Sequence, residues 1–421
     1  MPHFLFKYLV YYLVFVYIIC RHKVFLPSVV IMPLLKFNVL LALYLGAVKS
    51  QAPLNFTELT QLNGYQSEEH TVVTEDGYVL TLYRIAKGAK CKEKNKETPV
   101  FFMSPLLAAA DTAIEAGPDV AVPYLISDAC FDTWVGSPRG TYNGRKHVRL
   151  DPDKDKEFWN FSADEIGTYD VPAMVNYVLK YTKTEKLVYI GFSQGGGSFF
   201  VMCSERPDMC KKVKLMIGLA PATRHWYTKS VFFRLLFKSV EDNLDVFDDL
   251  RIWEILGRDQ VTTTLSVVCR NNLKLCEWLV SVVDSPHPGS VAESTYRSML
   301  DRFPAGTSVQ NMVRFSQSCR SKKFVKFSYG TKKNLQIYGT PDPPEYNLTA
   351  ADVPVVLMVG KNDGIVDVRD IKWLASKLPN VKETVIVKDP EWNHVDMFYG
   401  QLIKVMIFPK ILDYLIRYNE M

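Results

Sequence analysis

The sequence carries little net charge outside its amino-terminal segment. Its 421 residues include 50 lysines and arginines against 45 aspartates and glutamates, and the first 50 residues hold five of the basic residues and no acidic one. The rest of the chain is therefore neutral overall, and it has no basic stripe. This excludes a nucleic-acid-binding protein, which needs a positive surface to meet the phosphates. The sequence also lacks an internal repeat, which excludes a solenoid or a propeller built from repeated units.

Metal-ligand spacing is missing among the cysteines, so the sequence predicts neither a metal site nor another cofactor. The odd number of cysteines beyond the first fifty residues leaves at least one thiol free or paired elsewhere. Cys269 and Cys276 are near enough in sequence to close a small loop, and we predict a disulfide between them. Cys203 is expected to be a buried small hydrophobic residue instead. The seven cysteines are Cys91, Cys130, Cys203, Cys210, Cys269, Cys276 and Cys319.

The first fifty residues are almost continuously apolar and contain two hydrophobic runs, at 4–20 and 24–48. Read from Met32, the second run predicts a secretory signal peptide over 32–50, with Lys36 before the apolar stretch and small residues near a cleavage site. The true initiator is then Met1 or Met32. The alternative is that 4–20 anchors the chain in a membrane, although this run is short for a span and contains Lys7. We favour a secreted or lysosomal protein.

Three sequons accompany this signal. Asn55, Asn160 and Asn347 each begin an Asn-x-Ser/Thr triplet. They are candidate glycosylation sites if the chain enters the secretory pathway.

One short motif carries most of the chemical information. Gly191-Phe192-Ser193-Gln194-Gly195 matches G-x-S-x-G, in which the serine can be the nucleophile of a hydrolase. The apolar run at 187–190 predicts a buried strand before the motif, and 196–203 predicts a packed helix after it. A strand–turn–helix elbow of this kind strains the serine backbone and exposes the hydroxyl. The pentapeptide also arises by chance, so the flanking elements are what favour a nucleophile.

Strand-like and helix-like segments alternate on both sides of the motif. With 48% hydrophobic residues, the chain can bury the core of one large domain. The alternation predicts an α/β domain with a mostly parallel sheet and helices on both faces. We expect strands at 72–74, 78–83, 100–103, 131–135, 187–190, 215–219, 355–359 and 384–387, and further helices at 169–181 and 398–418.

The strand pattern stops between about residues 222 and 348. This stretch is aromatic and helical in pattern, with Trp226, Phe233 and Phe237 typical of it. We interpret it as a helical cap inserted over the carboxyl edge of the sheet, where it covers Ser193. Most of its aromatic residues are expected to form the cap's own core. The predicted division is a hydrophobic leader over 1–50, core over 51–222, cap over 223–348 and core again over 349–421.

A serine hydroxyl becomes nucleophilic when an imidazole takes its proton and a carboxylate holds that imidazole in one tautomer. In the elbow fold, the order along the chain is serine, acid, histidine. The sequence has only seven histidines, and His394 alone follows the strand at 384–387. It lies in a polar loop before the last helix, so we predict that His394 is the base. The alternative is a solvated loop histidine.

Asp363 is the predicted acid. It lies in the turn 360–364, at the carboxyl end of the strand at 355–359, and sheet geometry brings such turns beside the elbow. Asp367 and Asp370 are rivals, but both lie further along the chain. Asp396 is two residues from His394 and is expected to point elsewhere.

Taken together, these residues resemble the acid lipase family of the α/β-hydrolase fold, which contains gastric and lysosomal acid lipases and their insect relatives. The resemblance runs from about residue 63 to the carboxyl terminus and includes the cap. It implies a triad of Ser193, Asp363 and His394 and hydrolysis of neutral lipid esters, such as triacylglycerols or sterol esters, at a lipid–water interface. No obligate protein partner is expected. The resemblance is carried by the motif at 191–195, the turns at 362–363 and 393–394, and the segments 73–78, 161–172 and 304–312.

Two positions depart from the family pattern. Ser104-Pro105-Leu106 stands where the family usually has His-Gly-Leu. The resemblance assigns the oxyanion hole to the N–H groups of Leu106 and Gln194, and Pro105 restricts the backbone beside the first of them. The second departure is Phe192, where gastric and lysosomal members carry histidine.

Pro105 therefore motivates an alternative, in which the protein is a catalytically weakened relative that binds or carries lipid. The intact set of Ser193, Asp363 and His394 favours an enzyme. A further alternative keeps the triad and changes the substrate to short esters or thioesters.

Overall fold

The computed structural model describes residues 53–257, 266 and 269–420. The predictions for the amino-terminal segment lie outside these residues. They are the signal peptide at 32–50, the membrane anchor at 4–20 and the choice between Met1 and Met32. None of the helices in the described part of the chain combines the length and the apolar composition needed to cross a bilayer.

The core of the molecule is an eight-stranded sheet with the order β1-β2-β4-β3-β5-β6-β9-β10. β1 pairs with β2, and β2 with β4, in antiparallel fashion, and the other neighbours are parallel. This confirms the predicted α/β-hydrolase architecture. The strands are β1 Glu68–Val73, β2 Val79–Ile85, β3 Val100–Met103, β4 Thr133–Gly136, β5 Leu187–Phe192, β6 Val213–Leu219, β9 Val355–Val359 and β10 Val381–Ile386, with β7 Glu254–Ile255 and β8 Thr307–Ser308 forming a separate pair.

The central strands are continuous apolar runs because helices cover both faces of the sheet. Every residue of β3, β4, β5 and β9 is buried, whereas β1 alternates partly exposed and exposed positions over its first four residues. Parallel strands covered on both faces typically show this composition. The centre of the sheet, where β5 lies, is therefore the best-shielded part of the molecule.

The α-helices alternate with these strands and cluster after β6. They are α1 Phe56–Leu62, α2 Val122–Asp128, α3 Ala163–Glu165, α4 Val171–Thr182, α5 Gln194–Glu205, α6 Pro207–Cys210, α7 Val231–Asp242, α8 Leu244–Asp249, α9 Leu273–Val283, α10 Glu293–Met299, α11 Val309–Ser318, α12 Thr331–Tyr338, α13 Val368–Lys377, α14 Asp396–Tyr399, α15 Ile403–Met406 and α16 Phe408–Glu420.

The prediction of one closing helix over 398–418 is wrong, because three helices occupy this region. Gly400 follows α14 in an extended conformation, with φ −63° and ψ 127°, and so interrupts the helical backbone. Pro409 is the second residue of α16. Proline fits only the first turn of a helix, which favours a new start at Phe408.

The described residues between β6 and β9 contribute no strand to the large sheet and hold α7 to α12. Phe233 and Phe237 of α7 are buried and pack against Phe315 of α11, with the Phe237 and Phe315 ring centroids 5.6 Å apart. These aromatic residues form a local core. The boundaries 223–348 for an inserted cap stay a prediction.

Three disulfides link described residues, and Cys319 is a buried free cysteine. One of them joins Cys269 to Cys276, and another joins Cys91 to Cys130. The expectation that Cys203 is an unpaired hydrophobic residue is wrong, because Cys203 is bonded to Cys210. The chain reverses between α5 and α6 and brings the two Cα atoms to 4.8 Å.

The three sequon asparagines have exposed side chains. Asn55 and Asn347 each cap a helical turn by accepting hydrogen bonds from backbone N–H groups. Their glycosylation stays a prediction.

Candidate active site

Ser193 lies on a sharp turn between β5 and α5. Its backbone adopts φ 50° and ψ −118°, which a residue with a side chain rarely adopts. Three hydrogen bonds hold it there: the Ser193 N–H donates to Leu219 O at 2.9 Å, and its carbonyl accepts from the N–H groups of Gly197 and Ala222. The surrounding backbone therefore imposes the strain that a nucleophile elbow requires.

The two glycines of the motif are needed because the backbone folds tightly around the serine. A Cβ on Gly191 would lie 2.6 Å from the carbonyl oxygen of Gly195. A Cβ on Gly195 would overlap the carbonyl oxygen of Met103 and lie 2.8 Å from that of Ser104. The second contact also shows that the loop after β3 touches the start of α5.

The carboxylate of Asp363 is fully buried and held by three hydrogen bonds. Its Oδ1 accepts from the N–H groups of Ile365 and Val366, at 2.9 and 2.6 Å. Its Oδ2 lies 2.8 Å from Nδ1 of His394. Because both oxygens are engaged in this way, the carboxylate has a fixed orientation toward the imidazole.

His394 packs directly against the elbow. Its ring centroid lies 4.8 Å from that of Phe192, the residue before Ser193. With Nδ1 donating to Asp363, Nε2 is the nitrogen able to accept a proton. The pKa of His394 lies above its ordinary value. Burial alone would lower it, but the negative charge of Asp363, the hydrogen bond to Asp363 and the charge of Asp284 together outweigh burial.

The other histidines and acids considered from sequence have different partners. His225 is buried, with Nδ1 2.7 Å from Ser318 Oγ, and burial lowers its pKa to about 3. Asp367 accepts from the N–H of Arg369 at the start of α13, and Asp370 binds Arg224. Asp396 accepts from Asn393 N and contacts His287 Nδ1.

The loop after β3 lies beside the elbow because β3 and β5 are paired neighbours. Met103 is in register with Gly191, two residues before Ser193. After Pro105 the chain makes a turn in which Ala108 N donates to Pro105 O at 3.3 Å, and Leu107 has φ 60°. Within the described part of the chain, the N–H groups of Leu106 and Gln194 have no acceptor.

Two residues at the site were not singled out individually from sequence. Asn311 of α11 is buried, and its Nδ2 donates to the side-chain Oε1 of Gln194 at 2.9 Å. Asp284, after α9, is buried beside the turns that carry Asp363 and His394. Asn311 belongs to the segment 304–312, which the resemblance had marked, whereas no sequence signal distinguishes Asp284 from other aspartates.

Two family models match the chain. A model described as "Partial alpha/beta-hydrolase lipase region" matches residues 56–114, and one described as "alpha/beta hydrolase fold" matches residues 116–397. The second covers the elbow and both turns described above.

Individual proteins are similar over most of their length. Gastric triacylglycerol lipase of Bos taurus is 33% identical, over 88% of this chain and 94% of that protein. Lipase 1 of Drosophila melanogaster is 33% identical, over 87% and 81%. Lysosomal acid lipase/cholesteryl ester hydrolase of Homo sapiens is 32% identical, over 89% and 94%.

A solved structure adds a likeness of fold. The Pseudomonas aeruginosa protein PA2218 superposes with a TM-score of 0.51 at 12% identity, covering 87% of this chain and 95% of that one.

Proposed function

Because this chain belongs to the acid lipase family of the α/β-hydrolase fold, we propose that it hydrolyses the carboxylic esters of neutral lipids through an acyl-enzyme formed on Ser193. The observation that carries the proposal is the contact between His394 Nδ1 and Asp363 Oδ2, made where the His394 ring packs against the elbow. Asp363 and His394 lie on separate turns, and their side chains meet beside the strained serine. They are the pair that a serine nucleophile requires.

The reaction proceeds in two halves. In the first, His394 Nε2 takes the proton of Ser193 Oγ as the oxygen attacks the ester carbonyl, and the imidazolium formed is stabilised by Asp363. The tetrahedral intermediate then collapses to the acyl-enzyme, and the imidazolium protonates the departing alcohol. In the second half, His394 takes a proton from water, the hydroxyl attacks the acyl carbon, and the fatty acid leaves as Ser193 regains its proton.

The N–H groups of Leu106 and Gln194 are the proposed oxyanion hole. Both lack an acceptor among the described residues, and β3–β5 pairing brings their segments together. Gln194 begins α5, so its N–H belongs to the unpaired first turn of that helix. Donors that are already aimed at the developing charge cost no reorganisation during the reaction, and each contributes about 10²–10³ in rate.

A neutral lipid ester is the proposed substrate, and the secretory or lysosomal pathway is the proposed destination. The similar proteins named as triacylglycerol lipase and cholesteryl ester hydrolase support the substrate class. Three disulfides among the described residues favour an oxidising compartment.

Ester hydrolysis by the purified protein, measured over a series of acyl chain lengths, tests this function. Turnover of the wild type should rise toward long acyl chains and be abolished in Ser193→Ala, which should also lose labelling by a fluorophosphonate. Ser198→Ala is the matched control, because this hydroxyl lies buried on the same helix without a hydrogen-bond partner. Turnover that survives in Ser193→Ala would refute the proposal, and a preference for short acyl groups would refute the substrate class.

A further inference from the structure

The cap residues 284–287, which we call the cap strap, join the two turns that carry the proposed acid and base. They follow α9 directly. Oδ1 of Asp284 accepts from the N–H of Gly364, and Oδ2 accepts from the N–H of Val395, both at 2.9 Å. Gly364 is the neighbour of Asp363, and Val395 is the neighbour of His394. One side chain of the cap thus connects both turns at the residues next to the triad.

The backbone of the cap strap repeats this connection. The carbonyl of Ser285 accepts from Asn393 Nδ2 at 2.6 Å, and the carbonyl of Pro286 accepts from Asn362 Nδ2 at 2.9 Å. Asn393 and Asn362 precede His394 and Asp363 in sequence. The cap strap therefore accepts two hydrogen bonds from the turn of His394 and two from the turn of Asp363. The acceptors are both side-chain oxygens of Asp284 and the carbonyl oxygens of the next two residues.

We propose that Asp284 is a positioning residue that fixes the turn of Asp363 against the turn of His394, so that the cap controls the geometry of the triad. The inference rests on the proposed function of that triad. Asp284 does not contact the reacting atoms, and it acts through the backbone beside them.

A carboxylate can accept both hydrogen bonds at this position, whereas an amide can accept only one. Asp284 is only 4% exposed, and burying a charged group is costly unless it is hydrogen-bonded. An ionised carboxylate only accepts hydrogen bonds, and here each of its oxygens accepts one N–H. An asparagine has one acceptor oxygen, so it can satisfy one turn but must present an N–H₂ group to the N–H of the other.

The charge of Asp284 also reaches His394. It acts with Asp363 to raise the pKa of His394, and burial together with the charge of Asp363 raises the pKa of Asp284 itself to about 7, so Asp284 carries this charge around and above neutral pH. His225, which the charge of His394 also reaches, has a pKa of about 3 and stays neutral. His287, at the end of the strap, contacts Asp396 Oδ2 at 2.6 Å and Asp389 Oδ2 at 3.7 Å.

Asp284→Asn tests the proposal through kinetics and pH dependence together. We expect kcat to fall about tenfold with KM within about twofold of wild type, since one hydrogen bond to a charged group is lost. The midpoint of the rising limb of kcat/KM against pH should move to lower pH, because a negative charge near His394 is removed. Unchanged kcat and an unchanged midpoint would overturn the proposal.

Asp164→Asn is the matched control. Its carboxylate is also buried, accepts the backbone N–H of Phe327 at 2.6 Å and binds Arg314 of α11. This variant should lose thermal stability and keep the wild-type pH midpoint. Asp284→Glu keeps the charge but displaces the oxygens, so it should lower kcat without moving the midpoint. It also replaces Asp284→Asn if that variant does not fold, and in that case wild-type kcat in Asp284→Glu would overturn the proposal.

A titration of the histidine ring by NMR, with His394→Ala for assignment, separates this proposal from the proposed function. Wild-type protein without Ser193-dependent turnover would refute the function. A lower pKa of His394 in Asp284→Asn would still support the coupling of the cap strap to the base, and an unchanged pKa would overturn it.

Discussion

Asp363 and His394 are separated by 31 positions in sequence, yet their side chains meet at 2.8 Å. The meeting depends on the contact between their turns, because the N–H of Asn362 donates to Trp392 O at 3.0 Å. A Cβ on Gly360 would overlap the backbone of Trp392, so a side chain there would push the turns apart. The turns of Asp363 and His394 therefore form one packed unit.

The pH dependence of activity should reflect the raised pKa of His394. A general base must be neutral, so kcat/KM should rise with pH and reach half its maximum above the ordinary pKa of histidine, about 6.5. Asp363→Asn should lower kcat by about 10³–10⁴ and move this midpoint to lower pH. Rates on a soluble ester across about pH 5 to 9 check both.

Asp367→Asn serves as the control for that variant, because its carboxylate caps α13 in the same loop. It should reduce stability and leave the midpoint in place. The contribution of His394 to stability has the opposite dependence on pH from activity. A histidine whose folded pKa is raised contributes stability that is fully present below its unfolded pKa and is lost as pH rises through the folded pKa. Equal midpoints in wild type and Asp363→Asn would contradict the assignment of Asp363.

Asn311 should support catalysis through Gln194. Asn311→Ala removes the 2.9 Å hydrogen bond to Gln194 Oε1. It should lower kcat about tenfold, because a lost hydrogen bond is worth about 1 kcal/mol and Gln194 then loses its alignment. Steady-state kinetics on one soluble ester measures this. Asn334→Ala, at another buried asparagine between β6 and β9, should reduce thermal stability and keep kcat. Equal kcat losses in the two variants would point to general destabilisation.

The strain at Ser193 should appear as a gain in stability when glycine replaces it. Glycine adopts positive φ without a Cβ penalty, so Ser193→Gly should increase the free energy of unfolding by about 1 kcal/mol while turnover disappears. Ser193→Ala keeps a Cβ and should unfold at the wild-type temperature. Calorimetry of the wild type, Ser193→Gly and Ser193→Ala measures these differences in stability. A Ser193→Gly protein less stable than Ser193→Ala would show that the elbow is not strained.

Pro105 should be tolerated by the chemistry. Its ring removes an N–H from the loop, but the donor assigned to the oxyanion is the N–H of Leu106, and Ala108 closes the following turn by donating to Pro105 O. Pro105→Gly should lower stability by about 0.4–1 kcal/mol through the entropy of the unfolded chain and keep kcat within about threefold. The same ester kinetics and a thermal melt test it. A tenfold rise in kcat would instead support the alternative of a weakened, lipid-binding relative.

The central strands could be predicted because they are short, continuous apolar runs, and such runs are typical of strands buried on both faces of a sheet. Val100–Met103 and Val355–Val359 have the predicted bounds, since short apolar runs that are buried on both faces allow little else. The closing segment could not be predicted in the same way. Its apolar residues continue past Gly400, so periodicity suggested one helix where the backbone breaks. Cys203 was misjudged because pairing depends on how the chain reverses after α5.

The sequence by itself determined the family, and it predicted the elbow and the proposed order of serine, acid and histidine. These depend on local residue types that few other segments share, namely the glycines around Ser193 and the turns at Asp363 and His394. Only the tertiary structure decided what surrounds them. Asn311 and Asp284 reach the site from the segment between β6 and β9, through contacts between residues 117 and 80 positions apart in sequence. No local pattern encodes such contacts, because they arise when separately folded segments pack against each other.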